Sequence, residues 1–532
     1  MDAPVGNGSA DLSLATTSSW IHQGEILTVP FTVTTTGATG ALTVHASGLP
    51  AGVTAEDVTV AAGGGDGALK LIAVGAAAVG ARADVSVEVH ADGDLADAAT
   101  LTLKTAGAAG DPDTTFGSDG ARALTVRDPA GTAPGLAFPT DIAVYPADLG
   151  DHAGEVVVAG TVYDAAGTDT SRRPFVARFK TDGSLDTSFG ETTANGRRGY
   201  YIINDREMVS TRIAIDSMGR IVVGAGSHNR TGPDQAIALY RLTTTGEPDA
   251  SFTSYYGKPA PAAGYAGELE DLALLPLDKI LVSTSWNRPS GGMNAVVSVF
   301  SSDGTLDRAF NGSGSVILPP ARASESMTQL FQIAADAQGR YVGVGRVCDG
   351  GWNPPASNCV ALVARLTAAG AMDASFGSGA AGAKTGFQEI AAGGIFYGMA
   401  LTAAGDVVAS GANEAVTRAT IARLKAADGA LDPSFASTGA LTVDLGRGSY
   451  APSVMLDQAG RLVLTGRSDG VLARLRFDAS GRRDAGYGPA TVAAVGGGVG
   501  ALAGDDQLVA AIAVYRQGTS GPTDVVVRRF WP

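Results

Sequence analysis

The sequence predicts an all-β protein, a seven-bladed β-propeller whose first and last strands pair to close it, preceded by a β-sandwich. Three observations predict it. Gly contributes 73 residues, Val, Ala and Thr abound, and turn dipeptides return about every ten residues, which favours short strands over helices. An aromatic corner recurs at Phe116, Phe189, Phe252, Phe310, Phe376, Phe435 and Tyr487, with intervals of 52 to 73 residues. Between corners, an apolar strand, a tight turn and a second apolar strand recur, as in Ile213 to Gly224, Ile333 to Val344 and Val454 to Leu464. Self-similarity at such a period, with four strands per unit, is the signature of a propeller.

With 532 residues the chain is too long for one ordinary core. A formal charge of -15, with no Lys/Arg-rich run, argues against the basic surface that nucleic acid or anionic lipid requires, so neither is an expected partner. Nowhere does an uncharged apolar stretch reach the roughly eighteen residues a transmembrane helix needs. Residues 1–10 read as a flexible leader with neither a basic nor an apolar signal region, so any export signal is expected to be removed or absent.

Residues 11–105 hold Trp20 and Phe31 as their only aromatics and read as the sandwich. Its expected strands are Ile26 to Val33, Ala41 to His45, Leu69 to Ala73, Ala83 to His90 and Thr100 to Lys104, each alternating in polarity. The segment Ser47 to Thr54, followed by Val58 to Val60, resembles the Ig-like modules of bacterial surface and secreted proteins. That resemblance implies a spacer.

Residues 106–532 read as the propeller. Each unit ends in a strand with Ala-Arg-Leu or similar, a Gly turn, an Asp and the aromatic: Val176 to Gly190, Leu239 to Phe252, Ser298 to Phe310, Val363 to Gly377, Ala422 to Phe435 and, degenerate, Ala473 to Gly488. A further corner, Asp113 to Gly117, lacks its preceding strand. These corners and strands resemble the delta-60 repeats of bacterial exported proteins. The resemblance implies a propeller and an exported origin, and no activity.

The strands beginning Ile142, Ile213, Leu272 and Met399 place a small residue between apolar ones, which suits the crowded channel, so they are expected innermost. The strand after the corner is then outermost. In that frame the propeller begins on an outermost strand, Arg122 to Val126, and ends on a third strand, Val525 to Phe530. Pairing these two closes the ring and removes its free edges.

Corner carboxylates Asp186, Asp249, Asp307, Asp373 and Asp432, and the turn residues Asp182 and Asp303, are expected to accept backbone N–H groups, with the Phe filling the space between blades. The alternating Asp-x-Asp-x-Asp-Gly pattern of a calcium loop is absent, and no metal or cofactor is expected. Cys348 and Cys359 flank a Gly/Pro/Asn loop, and a disulfide between them would fit an oxidising compartment; two unpaired thiols are the alternative.

The long loops 128–139, 163–173, 227–235, 286–294, 348–359 and 446–453 share one expected face. Around the channel mouth on that face the sequence places Asp141, Arg212, Asp271, Gln332 and Ser453, with Trp286, Trp352, Tyr397 and Tyr450 as stacking surfaces. No Gly-x-Ser-x-Gly elbow, His-Glu-x-x-His or phosphate loop occurs, and no catalytic residue is assigned. The leading expectation is a monomeric, exported, extracellular or outer-surface protein that binds a polysaccharide or protein ligand without catalysis. A glycosidase or lyase using Asp141 with Asp271 or Glu270 is one alternative. A structural component of the cell envelope is the other.

Overall fold

A computed structural model describes residues 9–37, 40–164, 171–194, 196–227, 236–258, 265–287, 292–322, 326–352, 355–378, 385–445, 450–468, 471–488, 492–493, 496–515 and 523–532. Of the expected long loops, residues 165–170, 228–235, 288–291, 353–354 and 446–449 lie outside the described residues. The chain forms two compact units, Met1–Thr115 with Phe530–Pro532, and Phe116–Arg529. Both are built of strands. Among the described residues, no helix is long and apolar enough to cross a membrane.

Among the described residues, the first unit has two sheets. Strands Ser9–Leu14, Ile26–Thr36, Gly65–Ala73 and Val53–Glu56 form one, in that spatial order. The other runs Ser18–His22, Asp94–Ala106, Arg82–Ala91, Leu42–Ser47 and Val58–Val60. Alternation of buried and exposed residues, clearest in Leu42–Ser47, turns one face of each sheet toward a shared apolar core that includes Phe31, Val44, Leu69, Val87 and Leu101. The first strand begins at Ser9, paired with Thr36, so Ser9 and Ala10 are strand residues rather than leader. The chain's last residues complete this unit: the Trp531 ring meets Trp20 edge-on at 5.7 Å between centroids.

The second unit is a succession of antiparallel meanders. The simplest is Met208–Ile215, Ile221–Ser227, Ile237–Leu242 and Tyr255–Gly257, and the same order repeats along the chain. Its apolar cores lie between successive meanders. One cluster joins Ile237 and Leu239 of this meander to Leu269, Leu272 and Ile280 of the next. The middle strands are buried along both faces, as in Val156–Tyr163, and therefore read as unbroken apolar runs.

Turn glycines fix how one meander meets its neighbour. A Cβ on Gly183 would stand 3.0 Å from the Phe116 ring, and one on Gly246 would stand 2.7 Å from the Phe189 ring. Both glycines also have φ near +80°, so each fits its turn for two reasons. The aromatic corner of one meander is thus roofed by the turn of the following one.

The C-terminal strand Thr523–Phe530 closes the succession. It pairs antiparallel with Ala121–Leu124, from Ala121 opposite Arg528 to Leu124 opposite Val525. The partner strand begins one residue earlier and stops two residues sooner than the sequence suggests. Beyond it, the Val126 carbonyl accepts the Gly135 N–H across the loop that follows.

Cys348 and Cys359 form a disulfide. The strands around it are longer than the expected loop allows: Tyr341–Trp352 and Pro355–Leu366 pair through most of that segment, so the bond staples a hairpin across its irregular register between Val347 and Asp349. Cys348 is fully buried against Met293 and Met327.

Candidate functional site

The first strand of every meander breaks register at the same level: between Pro139 and Asp141, Val209 and Arg212, Leu269 and Asp271, Leu330 and Gln332, Phe396 and Gly398, Tyr450 and Ser453, and Gly497 and Val499. A bulge re-aims the side chain that follows it. Six of those seven residues, Asp141, Arg212, Asp271, Gln332, Ser453 and Val499, line one cavity of about 290 Å³, and the strand with Gly398 contributes Tyr397 instead, beside Thr140, Phe331 and Pro452. The convergence also identifies these strands as the inner wall.

Several of these side chains tie one meander to the next. Asp141 accepts the Ile142 N–H on Oδ1 and the Ile213 N–H on Oδ2, both at 2.8 Å. Asp271 accepts the Ile333 N–H at 2.9 Å, and Gln332 Oε1 accepts the Met399 N–H. Each acceptor therefore reaches the residue just past the bulge of the following meander. Arg212 occupies an equivalent position but can only donate; its Nη1 reaches the Thr140 and Thr211 carbonyls at 3.3 and 3.2 Å. Among the described residues, the rest of its guanidinium, the Gln332 amide NH₂ and the Ser453 hydroxyl have no protein partner.

Asp141 and Asp271 keep some accessible surface in the cavity yet sit deep among protein atoms. That depth, more than local exposure, governs their ionisation. Burial raises Asp141 above the usual carboxylate range against the pull of Arg212. It pushes Asp271 to about 7, with the Arg212 charge opposing and the Asp141 charge assisting. Glu270 is also pushed by burial to about 7, and accepts from the Ser285 hydroxyl at 2.6 Å and the Gln329 amide at 3.3 Å. Gln329 in turn accepts from Arg346 Nε at 2.9 Å. The Arg346 guanidinium lies 5.8 Å from the centre of the Phe331 ring, which meets Tyr397 at 5.3 Å between centroids.

Asp141, Arg212, Asp271, Gln332, Ser453 and Tyr397 are thus together. Trp286 is not with them. Its side chain is buried, and its Nε1 donates to Thr284 Oγ1 at 2.7 Å, so the indole is a core group and offers no stacking surface. The side chains of Trp352 and Tyr450 lie outside the described residues. Phe331 and Pro452 escaped the sequence reading because nothing marks a cavity-lining apolar residue off from a core one, and Thr140, whose hydroxyl donates to the Thr211 carbonyl at 2.7 Å, looks like any strand threonine. Among the described residues, no group of three or more His, Cys, Asp or Glu could hold a metal ion.

The corner carboxylates hold more than turns. Asp186 Oδ1 accepts the Ser188 N–H and hydroxyl at 2.9 and 2.7 Å, while Oδ2 accepts Arg178 Nε at 2.8 Å. The guanidinium lies 4.8 Å from the centre of the Phe189 ring and donates to the Thr244 carbonyl of the next meander at 2.7 Å. Arg241 with Asp249 and Arg365 with Asp373 repeat the arrangement. That is why the Arg of Ala-Arg-Leu and the Asp of the corner recur together. In the degenerate copy the clamp is Arg476, which donates to Asp484 at 2.9 Å and covers Tyr487, so the Ala473-Arg474-Leu475 match is displaced by two residues. In the copy ending at Phe310 the strand has Val299 at the clamp position, and Lys279 serves Asp307 instead at 2.6 Å.

Three segments, 154–189, 219–252 and 404–435, match the family described as "Domain of unknown function (DUF5122) beta-propeller". No curated protein matches the chain. Among solved structures, a protein of unknown function from Dyadobacter fermentans DSM 18053 is 13% identical with a TM-score of 0.36, over 60% of this chain and 94% of that one. The polysaccharide lyase Uly1 is 9% identical with a TM-score of 0.33, over 84% and 85%. An endo-arabinase from Bacteroides thetaiotaomicron VPI-5482 is 13% identical with a TM-score of 0.25, over 52% and 84%. The repeated corners and meanders, with the family match to three of them, make this chain an all-β protein that carries β-propeller repeats.

Proposed function

We propose that the chain is an exported, non-catalytic binding protein. In this reading an Ig-like sandwich over 11–105 acts as a stalk. It presents a seven-bladed, delta-60-like propeller over 106–532 whose central cavity takes a polysaccharide or protein ligand. One observation carries it: the cavity's carboxylates are spent on backbone N–H groups, while among the described residues Arg212, Gln332 and Ser453 keep donors unspent beside the Phe331–Tyr397 pair. A scaffold that spends its carboxylates on its own backbone while leaving donors beside an aromatic pair is suited to holding a polar ligand. The same bonding weighs against catalysis, since both oxygens of Asp141 already accept N–H groups and a general acid or base must be able to turn to its substrate. The disulfide supports an oxidising, extracellular setting.

The test is a glycan array read with the wild-type protein and with Tyr397→Ala and Gln332→Ala. Binding by the wild type that both variants lose is the expected result. An array on which the wild type captures nothing, together with turnover of a polysaccharide panel that Asp271→Asn abolishes, would replace this reading with the enzymatic one.

A further inference from the structure

Resting on that reading of the cavity, we infer that its ligand is an acidic sugar whose carboxylate is anchored by Arg212. The guanidinium is the only cation among the lining residues, and Thr140 and Thr211 occupy one of its nitrogens. A planar fork of N–H donors with positions to spare matches a carboxylate in two places at once, which a hydroxyl cannot do. The other unspent groups, the Gln332 NH₂ and the Ser453 hydroxyl, also donate, so the lining asks its ligand for acceptors. Phe331 and Tyr397, tilted 50° to each other, offer apolar ring surface to the C–H face of a pyranose. At about 290 Å³ the cavity lies at the small end of ligand pockets, which suits one sugar unit at a chain end better than an internal stretch of polymer.

Two carboxylates compete with the ligand for Arg212, and they differ in how they can yield. Asp141 is held by two backbone N–H groups. Asp271 shares the cavity lining with Arg212, Asp141 and Tyr397 and has Glu270 and Glu268 on its own strand; burial pushes its carboxyl up to about 7, with Arg212 opposing and Asp141 assisting. The adjacent strand Ser326–Ala335 brings no charged residue to it. Protonation of Asp271 removes one negative charge from beside Arg212, so an anionic ligand binds more tightly as the pH falls from 8 to 6.

Isothermal titration of the full chain with D-glucuronate, D-glucose and a tripeptide with a free C-terminus tests this at pH 6 and pH 8. Glucuronate is expected to bind at pH 6 about tenfold or more tighter than glucose, and to weaken by about tenfold at pH 8. Arg212→Gln should erase the preference for the acid, and Arg212→Lys should retain part of it. Asp271→Asn keeps an acceptor for the Ile333 N–H and should give the pH 6 affinity at pH 8. Thermal melts of each variant establish that it is folded. Equal affinity for glucuronate and glucose, or a preference that survives Arg212→Gln, overturns the inference. Tighter binding of the tripeptide overturns the sugar and keeps the carboxylate. Capture of neutral glycans on the array without glucuronate binding removes this inference and leaves the binding role standing, whereas a blank array and a blank titration remove both.

Discussion

A single side chain in this protein is read wrongly when its neighbours are ignored, and Trp286 illustrates it. An indole next to an expected loop looks like a binding surface; enclosed and bonded to Thr284, it is a core residue. Trp286→Ala is therefore expected to cost about 3–5 kcal/mol of stability in a denaturant titration, and any loss of ligand binding would follow from that. The corner clamps allow a graded comparison. Removing the carboxylate in Asp373→Ala leaves the Arg365 guanidinium, 1% exposed, without its ion-pair partner, and should cost about 3–5 kcal/mol. Lys279→Ala at the substituted clamp removes a side chain that is 40% exposed, and should cost at most about 1 kcal/mol. Equal losses in the two variants would mean that the clamps do not work through buried charge.

At the scale of the element, strands and turns carry opposite responses to pH. At the corners, burial resists ionisation of Asp186, Asp249 and Asp373, but hydrogen bonds from the following serine and the clamp arginine outweigh it and hold each carboxyl below its usual range. Such groups contribute stability above the unfolded value near 4, and that contribution disappears as the pH falls through their lowered values. On the inner strand Tyr265–Leu275, Glu270 and Asp271 are raised by burial to about 7. Between about pH 4 and pH 7 the folded chain binds more protons there than the unfolded chain does, so stability declines as the pH rises through that window and levels off above it. Glu270→Gln should thus stabilise the protein at pH 8 by about 1–3 kcal/mol relative to its effect at pH 5, as read from urea midpoints at the two pH values. The stapled hairpin is a second element with a direct test. Reducing the Cys348–Cys359 bond should lower stability by about 2–3 kcal/mol, and an unchanged midpoint after reduction would show that pairing of the two long strands suffices without it.

At the scale of the whole second unit, stability depends on closure. The strand Thr523–Phe530 is bonded on one side to Ala121–Leu124 and on the other to Leu508–Tyr515. Deleting residues 525–532 strands two edges at once and uncovers the cluster that joins Leu124, Val126 and Val156 to Val525 and Val527. The expected outcome is a broadened thermal transition, dye binding to exposed apolar surface, and aggregation. A sharp transition at the wild-type temperature would mean that the neighbouring meanders hold together without the closing strand.

The sequence by itself determined the repeat, the strand order within each meander and the two segments that close the chain. Those are written locally, in alternating polarity, turn glycines and an aromatic every fifty to seventy residues. It also grouped Asp141, Arg212, Asp271, Gln332, Ser453 and Tyr397, because a period places equivalent residues at equivalent heights. Only the tertiary structure decided what those residues are doing. That Asp141 and Asp271 are occupied by Ile213 and Ile333, some sixty to seventy residues away, and that Arg212 is left with N–H groups to spare depends on partners from other meanders. The same holds for the bond that the clamp Arg178 makes to Thr244 of the next meander, while Lys279 standing in at Asp307 and the burial of Trp286 depend on packing that no local pattern announces. Periodicity fixes where a side chain points, but its chemistry is set by which distant groups the fold brings within about 3 Å of it, and no local pattern in the chain encodes that distance.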